Sequence, residues 1–133
     1  MKEYSLEIIT PDGPFFDGNV ESLVARTSGG DVCILAGHID YLTTIEYGNV
    51  KIKTKDSERY ASIMGGFLSV SDGNAKIIAT TAEFAEDIDV ARAEKAKLRA
   101  EERLKNKVSE NEMLLAEMKL KRALNRLSVS KKV

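Results

Sequence analysis

The stretch TAEFAEDIDVARAEKAKLRA, residues 81–100, contains the point at which the pattern of the chain changes. Before it, apolar and polar residues alternate in short runs, which is the period of a strand with one wet face. After Asp87 the chain has no glycine and no proline, and the strong helix formers Ala, Glu, Lys, Arg and Leu dominate. The sequence therefore predicts β structure up to about residue 84 and helices from about residue 87.

The first part of the chain consists of short alternating runs separated by turn-forming residues. Alternation is clearest in Tyr4-Leu6-Ile8, Val50-Ile52-Thr54 and Ile77-Ala79. The predicted turns are Pro11-Asp12-Gly13, Asp17-Gly18, Gly29-Gly30, Gly48-Asn49 and Asp72-Gly73-Asn74. Many short strands at this spacing are typical of a sandwich or a barrel, and we expect an antiparallel β-sandwich in residues 1–84.

The second part is predicted to be an antiparallel two-helix hairpin in residues 87–133, which makes the fold class α+β. Asp87 or Asp89 can cap the first helix, and a break is expected near residues 106–108. Ser109 and Glu112, three residues apart, have the spacing of a capping box for a second helix. Two helices joined by a short connection fold back on each other.

The predicted interface between the two helices is rich in alanine. The facing stripes are Ala93, Ala96, Ala100 and Leu104 on the first helix, and Met113, Ala116, Leu120, Ala123 and Leu127 on the second. Alanine buries little apolar area, so this hairpin is expected to open readily. A further patch of Leu114, Leu115 and Met118 would pack on the sandwich and the first helix together, or on different partners in different states.

Composition indicates one small globular protein with an uneven distribution of charge. The 133 residues are 43% apolar and 31% charged, and no run approaches the roughly 18 apolar residues of a membrane span. The N-terminus lacks an apolar signal core, and the single Cys33 favours a reducing compartment. Residues 1–86 carry a net charge of −6 and residues 105–133 a net charge of +5. This asymmetry suggests two surfaces with different partners, or a chance drift of charge.

The residues give little indication of an enzyme. Cys33 and His38 lack further ligands nearby for a metal site or a nucleophile pair. The pairs Gly29-Gly30 and Gly65-Gly66 lack the spacing of a phosphate loop. No carboxylate pair can be placed across a cleft.

Four arginines offer a different chemistry. Arg92 and Arg99 lie on one side of the first helix, and Arg122 and Arg126 share a side of the second. A closed hairpin would bring these guanidinium groups together, and such groups bind phosphate oxygens bidentately. Alternatively they form ordinary surface ion pairs with Glu94, Glu101, Glu102 and Glu117.

Taken in order along the chain, these features resemble the epsilon subunit family of the rotary F-type ATP synthase. The residues that carry the resemblance are Ile9-Thr10-Pro11, Phe16-Asp17-Gly18-Asn19-Val20, Gly30 to His38, Thr43 to Gly48, Met64-Gly65-Gly66-Phe67, Ala82-Glu83 and Ile88-Asp89-Val90-Ala91-Arg92-Ala93. The family usually reads Gly-Ile-Leu-Pro-x-His-Ala-Pro where this chain has residues 33–40. Both prolines are missing, so this loop is expected to be less rigid.

The resemblance implies a non-catalytic central-stalk subunit. The sandwich would contact the gamma subunit and the ring of c subunits through the neighbourhood of Asp31 to His38. The hairpin would permit turnover when folded, and would block ATP hydrolysis when extended against the catalytic alpha and beta subunits. The protein would be peripheral to the cell membrane on its cytoplasmic side, and no nucleic acid would be a partner.

The resemblance also implies a site for ATP as a regulatory ligand, with no required cofactor. The family's Ile/Leu-Asp-x-x-Arg-Ala motif corresponds to Ile88, Asp89, Arg92 and Ala93, and the other matching positions are Glu83, Arg99, Arg122 and Arg126. The base would lie near Glu83, Ile88, Asp89 and Ala93, and the arginines would reach the phosphates. Asp89 would be a nucleotide contact or a helix cap only.

Two competing functions are a free nucleic-acid binder and a stand-alone nucleotide sensor. The basic tail, Lys119-Leu120-Lys121-Arg122 with Lys131-Lys132, favours the first, but no aromatic residue follows Phe84 to stack on bases. Co-purification with membrane-bound catalytic subunits would exclude the second.

Overall fold

The computed structural model describes residues 2–106 and 109–132. In chain order its elements are β1 (Tyr4–Thr10), β2 (Gly13–Val20), β3 (Ser22–Thr27), β4 (Gly30–Leu35), β5 (Tyr41–Lys53), β6 (Glu58–Ser71), β7 (Asn74–Phe84), a 3-10 turn (Ala85–Asp87), α1 (Val90–Lys105) and α2 (Glu110–Ser130). The predicted change from strands to helices is confirmed. Part of the predicted interhelical break, residues 107 and 108, lies outside the described residues.

The seven strands form a β-sandwich, as predicted. They follow the order β2-β1-β7-β6-β5-β3-β4. The hydroxyl of Tyr4, on β1, nevertheless donates to the carbonyl oxygen of Ile34, on the distant edge strand β4, at 2.6 Å. The sheet therefore folds over on itself around one core. All ladders are antiparallel except that between β1 and β7, which joins the first and last strands and so needs no hairpin connection.

The alternation in sequence corresponds to alternation in burial. On β1, Tyr4, Leu6 and Ile8 are buried, while the residues between them are partly exposed. The largest fully buried side chains of the core are Leu6, Ile8, Leu23, Ile34, Ile45, Ile52, Ile63, Leu68, Ile77, Val20, Val50 and Val70. These aliphatic side chains hold the two layers together through removal of apolar surface from water.

Two of the predicted turns are wrong. Gly48-Asn49 lies within β5 and Asp17-Gly18 within β2. At Gly48 the reason is a close approach between strands, because an added Cβ would lie 2.8 Å from the carbonyl oxygen of Arg26. The turn at residues 72–74 is confirmed, with positive φ at Asp72 and Gly73 rather than at Asn74.

Both helices begin at predicted caps. The Asp89 side chain accepts a hydrogen bond from the backbone N–H of Arg92 at 3.1 Å, so α1 starts at Val90. Asp87 belongs to the preceding 3-10 turn. The Ser109 hydroxyl accepts from the backbone N–H of Glu112 at 3.4 Å at the start of α2.

The helices pack through the predicted alanines. Ala93 and Ala100 of α1 are buried, as are Ala116, Ala123 and Leu127 of α2. The second apolar patch is not covered in this closed arrangement, because Leu114 and Leu115 are exposed. The expectation that it packs on the sandwich and α1 together is wrong for this state.

The hairpin is docked on the sandwich by the end of α2. Here the C-terminal clamp denotes Asn125, Arg126, Val129 and Lys132. The Asn125 amide Nδ2 donates to Gly48 O and to Ser62 Oγ, both at 2.9 Å. Val129 is fully buried in a small cluster with Ala85 and Ile88, against Tyr60. The Lys132 ammonium lies 5.2 Å from the centre of the Tyr60 ring.

Candidate anion-binding cavities beneath the hairpin

Five of the eight side chains predicted for the nucleotide site line two neighbouring cavities. The first is a groove of about 370 Å³ between α1 and α2, lined by Arg99, Arg122 and Arg126. Alanines of the helix interface, Ala96, Ala100, Ala116 and Ala123, also line it. Small side chains leave room between the helices, and the longer cationic side chains reach over that space.

The second cavity, of about 280 Å³, lies between the sandwich and the hairpin. It is lined by Glu83 on β7, Arg92 on α1 and Arg126 on α2, together with Met64, Thr81 and Ala82. Arg126 therefore borders both cavities. Three elements that are separate in sequence meet at this cavity because the hairpin is docked.

Arg126 and Glu83 form a bidentate ion pair. Nε of Arg126 donates to Oε1 of Glu83 at 2.9 Å, and a terminal nitrogen donates to Oε2 at 3.1 Å. Both side chains are largely shielded, with 21% and 29% of their surface exposed. Bidentate geometry fixes the plane of a guanidinium group, so Glu83 orients Arg126 at the border of the two cavities.

The remaining three predicted residues line neither of these two cavities. Ile88 is buried in the cluster with Val129, and Asp89 is the exposed cap of α1. Ala93 is fully buried. These residues fix the start of α1, from which Arg92 reaches the smaller cavity.

The alternative of ordinary surface ion pairs receives no support at these arginines. Within residues 2–106 and 109–132, no ion pair joins Arg92, Arg99, Arg122 or Arg126 to Glu94, Glu101, Glu102 or Glu117. Arg99 and Arg122 line the groove instead.

Three cavity-lining residues were missed in the sequence. Arg103 and Lys119 also line the groove, and Arg103 lies 3.8 Å from the carboxylate of Glu112. Their spacing carried the signal, because Arg103 follows Arg99 by four and Lys119 precedes Arg122 by three. Met64 lines both cavities, and no spacing in the sequence indicates this.

The predicted rotor-contact residues lie elsewhere on the sandwich. Asp31, on β4, is exposed and paired with Arg26 at 3.1 Å. His38 follows β4, with Nδ1 at 2.7 Å from Ile39 O and its ring beside that of Tyr41. Ile39 and Leu42 are strongly exposed nearby in the chain, so this region presents apolar as well as charged groups.

The described residues contain neither a candidate membrane-spanning helix nor a group of candidate metal ligands. None of the helices in residues 2–106 and 109–132 has the length and apolar character needed to cross a membrane. In the same residues, no three His, Cys, Asp or Glu side chains are grouped as metal ligands.

The fold and the cavities define a β-sandwich protein that carries a docked helical hairpin with a cation-lined interior. The chain matches the family model of the ATP synthase delta/epsilon chain, through its β-sandwich domain at residues 3–85 and its long α-helix domain at residues 86–131. The chain belongs to this family.

Similar curated proteins carry the name ATP synthase epsilon chain. One from Ruminococcus albus is 44% identical over 133 residues, covering 99% of each chain, and one from Bacillus velezensis is 41% identical over 130 residues, covering 98% of each. The expectation of a non-catalytic central-stalk subunit, with catalysis in the complex as a whole, is thereby confirmed.

Solved structures share the fold. A chain of the Euglena gracilis mitochondrial ATP synthase, in a structure of OSCP/F1/c-ring, superposes with a TM-score of 0.83 at 23% identity, covering 92% of this chain and 78% of that one. A chain from the Tetrahymena thermophila mitochondrial ATP synthase central stalk and c-ring gives a TM-score of 0.60 at 17% identity, covering 98% and 96%.

Proposed function

We propose that this epsilon chain couples rotor movement to catalysis and regulates ATP hydrolysis through a hairpin that ATP holds closed. The observation that carries the proposal is the convergence of Glu83, Arg92, Arg99, Arg122 and Arg126 on two adjoining cavities. These residues come from β7, α1 and α2, so the site is complete only while the hairpin is docked.

The arginines supply what a triphosphate needs. Guanidinium groups stay charged at physiological pH and donate to phosphate oxygens in pairs. Those of Arg99, Arg122 and Arg126 border the groove, where the phosphates would lie, and the cavity beside Glu83 and Arg92 would receive the nucleoside. ATP would be bound without being hydrolysed, because the proposed site has no phosphate loop and the carboxylate of Glu83 is held by Arg126 in the cavity proposed for the nucleoside.

The alanine interface suits a reversible hairpin. Because the extended hairpin would separate the residues of the site, ATP binds the closed state with higher affinity and shifts the population toward it. When ATP is scarce, the hairpin extends, and its basic α2 meets the catalytic alpha and beta subunits. The two parts, 1–84 and 87–133, would then act as separate domains.

The sandwich would provide the attachment to the rotor. Structures with the same fold are titled as F1/c-ring and central stalk/c-ring assemblies, which supports contacts of this chain with gamma and the c-ring. The neighbourhood of Asp31 and His38 is the proposed contact region. The protein would be held at the cytoplasmic side of the cell membrane by the complex.

Calorimetric titration of ATP into the isolated chain tests the ligand. Binding is expected for the parent chain and a strong loss for Arg92→Ala and Arg126→Ala. Arg26→Ala, which removes a remote guanidinium on the sandwich, is the matched control and should bind as the parent does. Absence of heat for the parent at millimolar ATP would refute ATP binding.

Inhibition requires the assembled enzyme. Complexes reconstituted with Arg126→Ala should hydrolyse ATP more slowly than those with the parent chain, since ATP no longer favours the closed hairpin. Complexes whose chain lacks the whole hairpin should hydrolyse ATP at least as fast as those with the parent chain, because the inhibitory element is gone. Equal rates with the parent and with Arg126→Ala chains would contradict the regulatory proposal.

A further inference from the structure

Met64 occupies a position that the proposed function does not use. It lines the groove between the helices, the smaller cavity beside Glu83, and a third depression of about 660 Å³ bordered by Tyr47, Thr81 and Arg122. Arg122 and Arg126 each border two of these spaces, whereas Met64 borders all three.

The strand places this side chain toward the hairpin. Ile63 is fully buried in the sandwich core, and successive side chains on a strand point to opposite faces. Met64 therefore shares its face with Ser62, whose hydroxyl is contacted by Asn125 of α2. The ladder pairs Met64 with Tyr47 on β5 and with Thr81 on β7, so it sits on a central strand.

Met64 borders two cavities whose other lining residues differ. On one side lie Glu83 and Arg92, and on the other lie Arg99 and Arg122. A nucleoside triphosphate that spans the groove and the smaller cavity would lie next to Met64, because this residue lines both. Met64 is only partly buried in the docked arrangement.

We propose that Met64 contacts the nucleoside of the bound nucleotide and so determines affinity for the base and sugar, independently of the phosphates. This inference rests on the proposed ATP site. A thioether is unbranched and polarisable and packs favourably on aromatic rings, whereas it offers little to a phosphate oxygen. Its contribution should therefore appear with ATP and be absent with inorganic tripolyphosphate.

The test measures the affinity of the full chain for ATP and for inorganic tripolyphosphate by titration. Met64→Ala should weaken ATP binding about three- to tenfold and leave tripolyphosphate binding unchanged. Met64→Leu, which keeps an apolar side chain of similar size, should retain most of the ATP affinity. Met118→Ala removes a partly buried methionine of α2 that lines none of the three spaces and should change neither affinity.

Two results would overturn the inference. Unchanged ATP affinity in Met64→Ala would show that the nucleoside does not touch this residue. An equal fall in both affinities would show that Met64 only packs the hairpin against the strands. A parent chain that binds no ATP would instead refute the proposed function from which the inference starts.

Discussion

Asn125 makes the most direct polar contact between the hairpin and the strands. Its amide donates hydrogen bonds to Gly48 O and Ser62 Oγ, and Ser62 is itself buried. Asn125→Ala removes both hydrogen bonds and should cost about 1–3 kcal/mol of docking free energy. Hydrogen exchange of the α2 amides measures the loss, and exposed Asn111 at the start of α2 is the control for substitution to Ala. Equal exchange in Asn125→Ala and the parent would contradict this role.

Tyr4 makes the sandwich sensitive to alkaline pH. Burial, with the nearby Cys33 thiol as a smaller cause, raises the pKa of Tyr4 above its ordinary value of about 10. The folded state therefore holds the phenol proton more tightly than the unfolded state, and this contribution is complete below pH about 10 and is lost as pH rises further.

Replacement of Tyr4 by Phe should reduce that alkaline loss. Tyr4→Phe removes the bond to Ile34 O, so it should be less stable than the parent at pH 8. Between pH 8 and pH 10.5 the free energy of unfolding in urea should fall less for Tyr4→Phe than for the parent. Parallel pH profiles would show that the phenol does not titrate with unfolding.

For single residues, the sequence predicted the features that follow from the repeat of a strand or a helix, namely which face of the element a side chain lies on. Leu6 and Ile8 alternate with partly exposed neighbours, and the spacing of Arg92, Arg99, Arg122 and Arg126 placed them on shared helix sides. Asn125 was not predicted, because its partners at positions 48 and 62 become neighbours only through strand register and docking. Period carries no information about such long-range contacts.

At the scale of the elements, the two roles expected for Asp89 at the start of α1, helix cap and nucleotide contact, can be tested separately. The carboxylate caps the helix and lines neither of the cation-lined cavities. Asp89→Ser keeps a good cap and should bind ATP as the parent does, whereas Asp89→Ala should cost α1 about 1 kcal/mol and weaken binding through a looser Arg92. Helix content by circular dichroism and ATP affinity by calorimetry measure the two effects. Loss of ATP affinity in Asp89→Ser with full helicity would make Asp89 a nucleotide contact instead.

Strand β5 depends on glycine at position 48 for packing. A Cβ there would lie 2.8 Å from Arg26 O, so Gly48→Ala must displace backbone and should destabilise the sandwich by about 1–3 kcal/mol. Gly18→Ala, on β2, meets nothing closer than 3.7 Å and is the matched control. Urea unfolding compares the two, and equal midpoints would contradict a close approach. Both glycines were predicted to lie in turns. A glycine needed for close approach of two strands cannot be told from one needed for positive φ by its neighbours in the sequence.

In the molecule as a whole, the two parts are joined unequally. Within the described residues, α2 makes the contacts of the C-terminal clamp with the strands, whereas Leu98 of α1 is exposed to solvent. The two-part architecture was predictable from the change of period near residue 84. How the parts dock was not, because docking depends on single side chains of α2, such as Asn125 and Val129, whose partners are distant in the sequence. The opposite net charges of residues 1–86 and 105–133 suggested two surfaces with different partners and did not indicate that the two parts dock on each other.

The C-terminal clamp predicts that replacing Val129 by a charged residue undocks the hairpin while the sandwich stays folded. Val129→Asp would bury a carboxylate against Ala85, Ile88 and Tyr60, which is costly without a cation partner. The hairpin should undock, the radius of gyration in solution should rise, and amides of α1 and α2 should exchange faster because the alanine interface alone is weak. Leu114→Asp introduces the same charge at an exposed position of α2 and should leave both quantities unchanged.

The sandwich core lies on the other side of the strands, so its unfolding midpoint should be the same in Val129→Asp and the parent. That midpoint distinguishes undocking from general loss of structure. A compact radius with parent-like protection of the helices in Val129→Asp would show that contacts other than the clamp hold the hairpin. A lowered sandwich midpoint would show that the two parts fold as one cooperative unit and that the hairpin is not free to move independently of the strands.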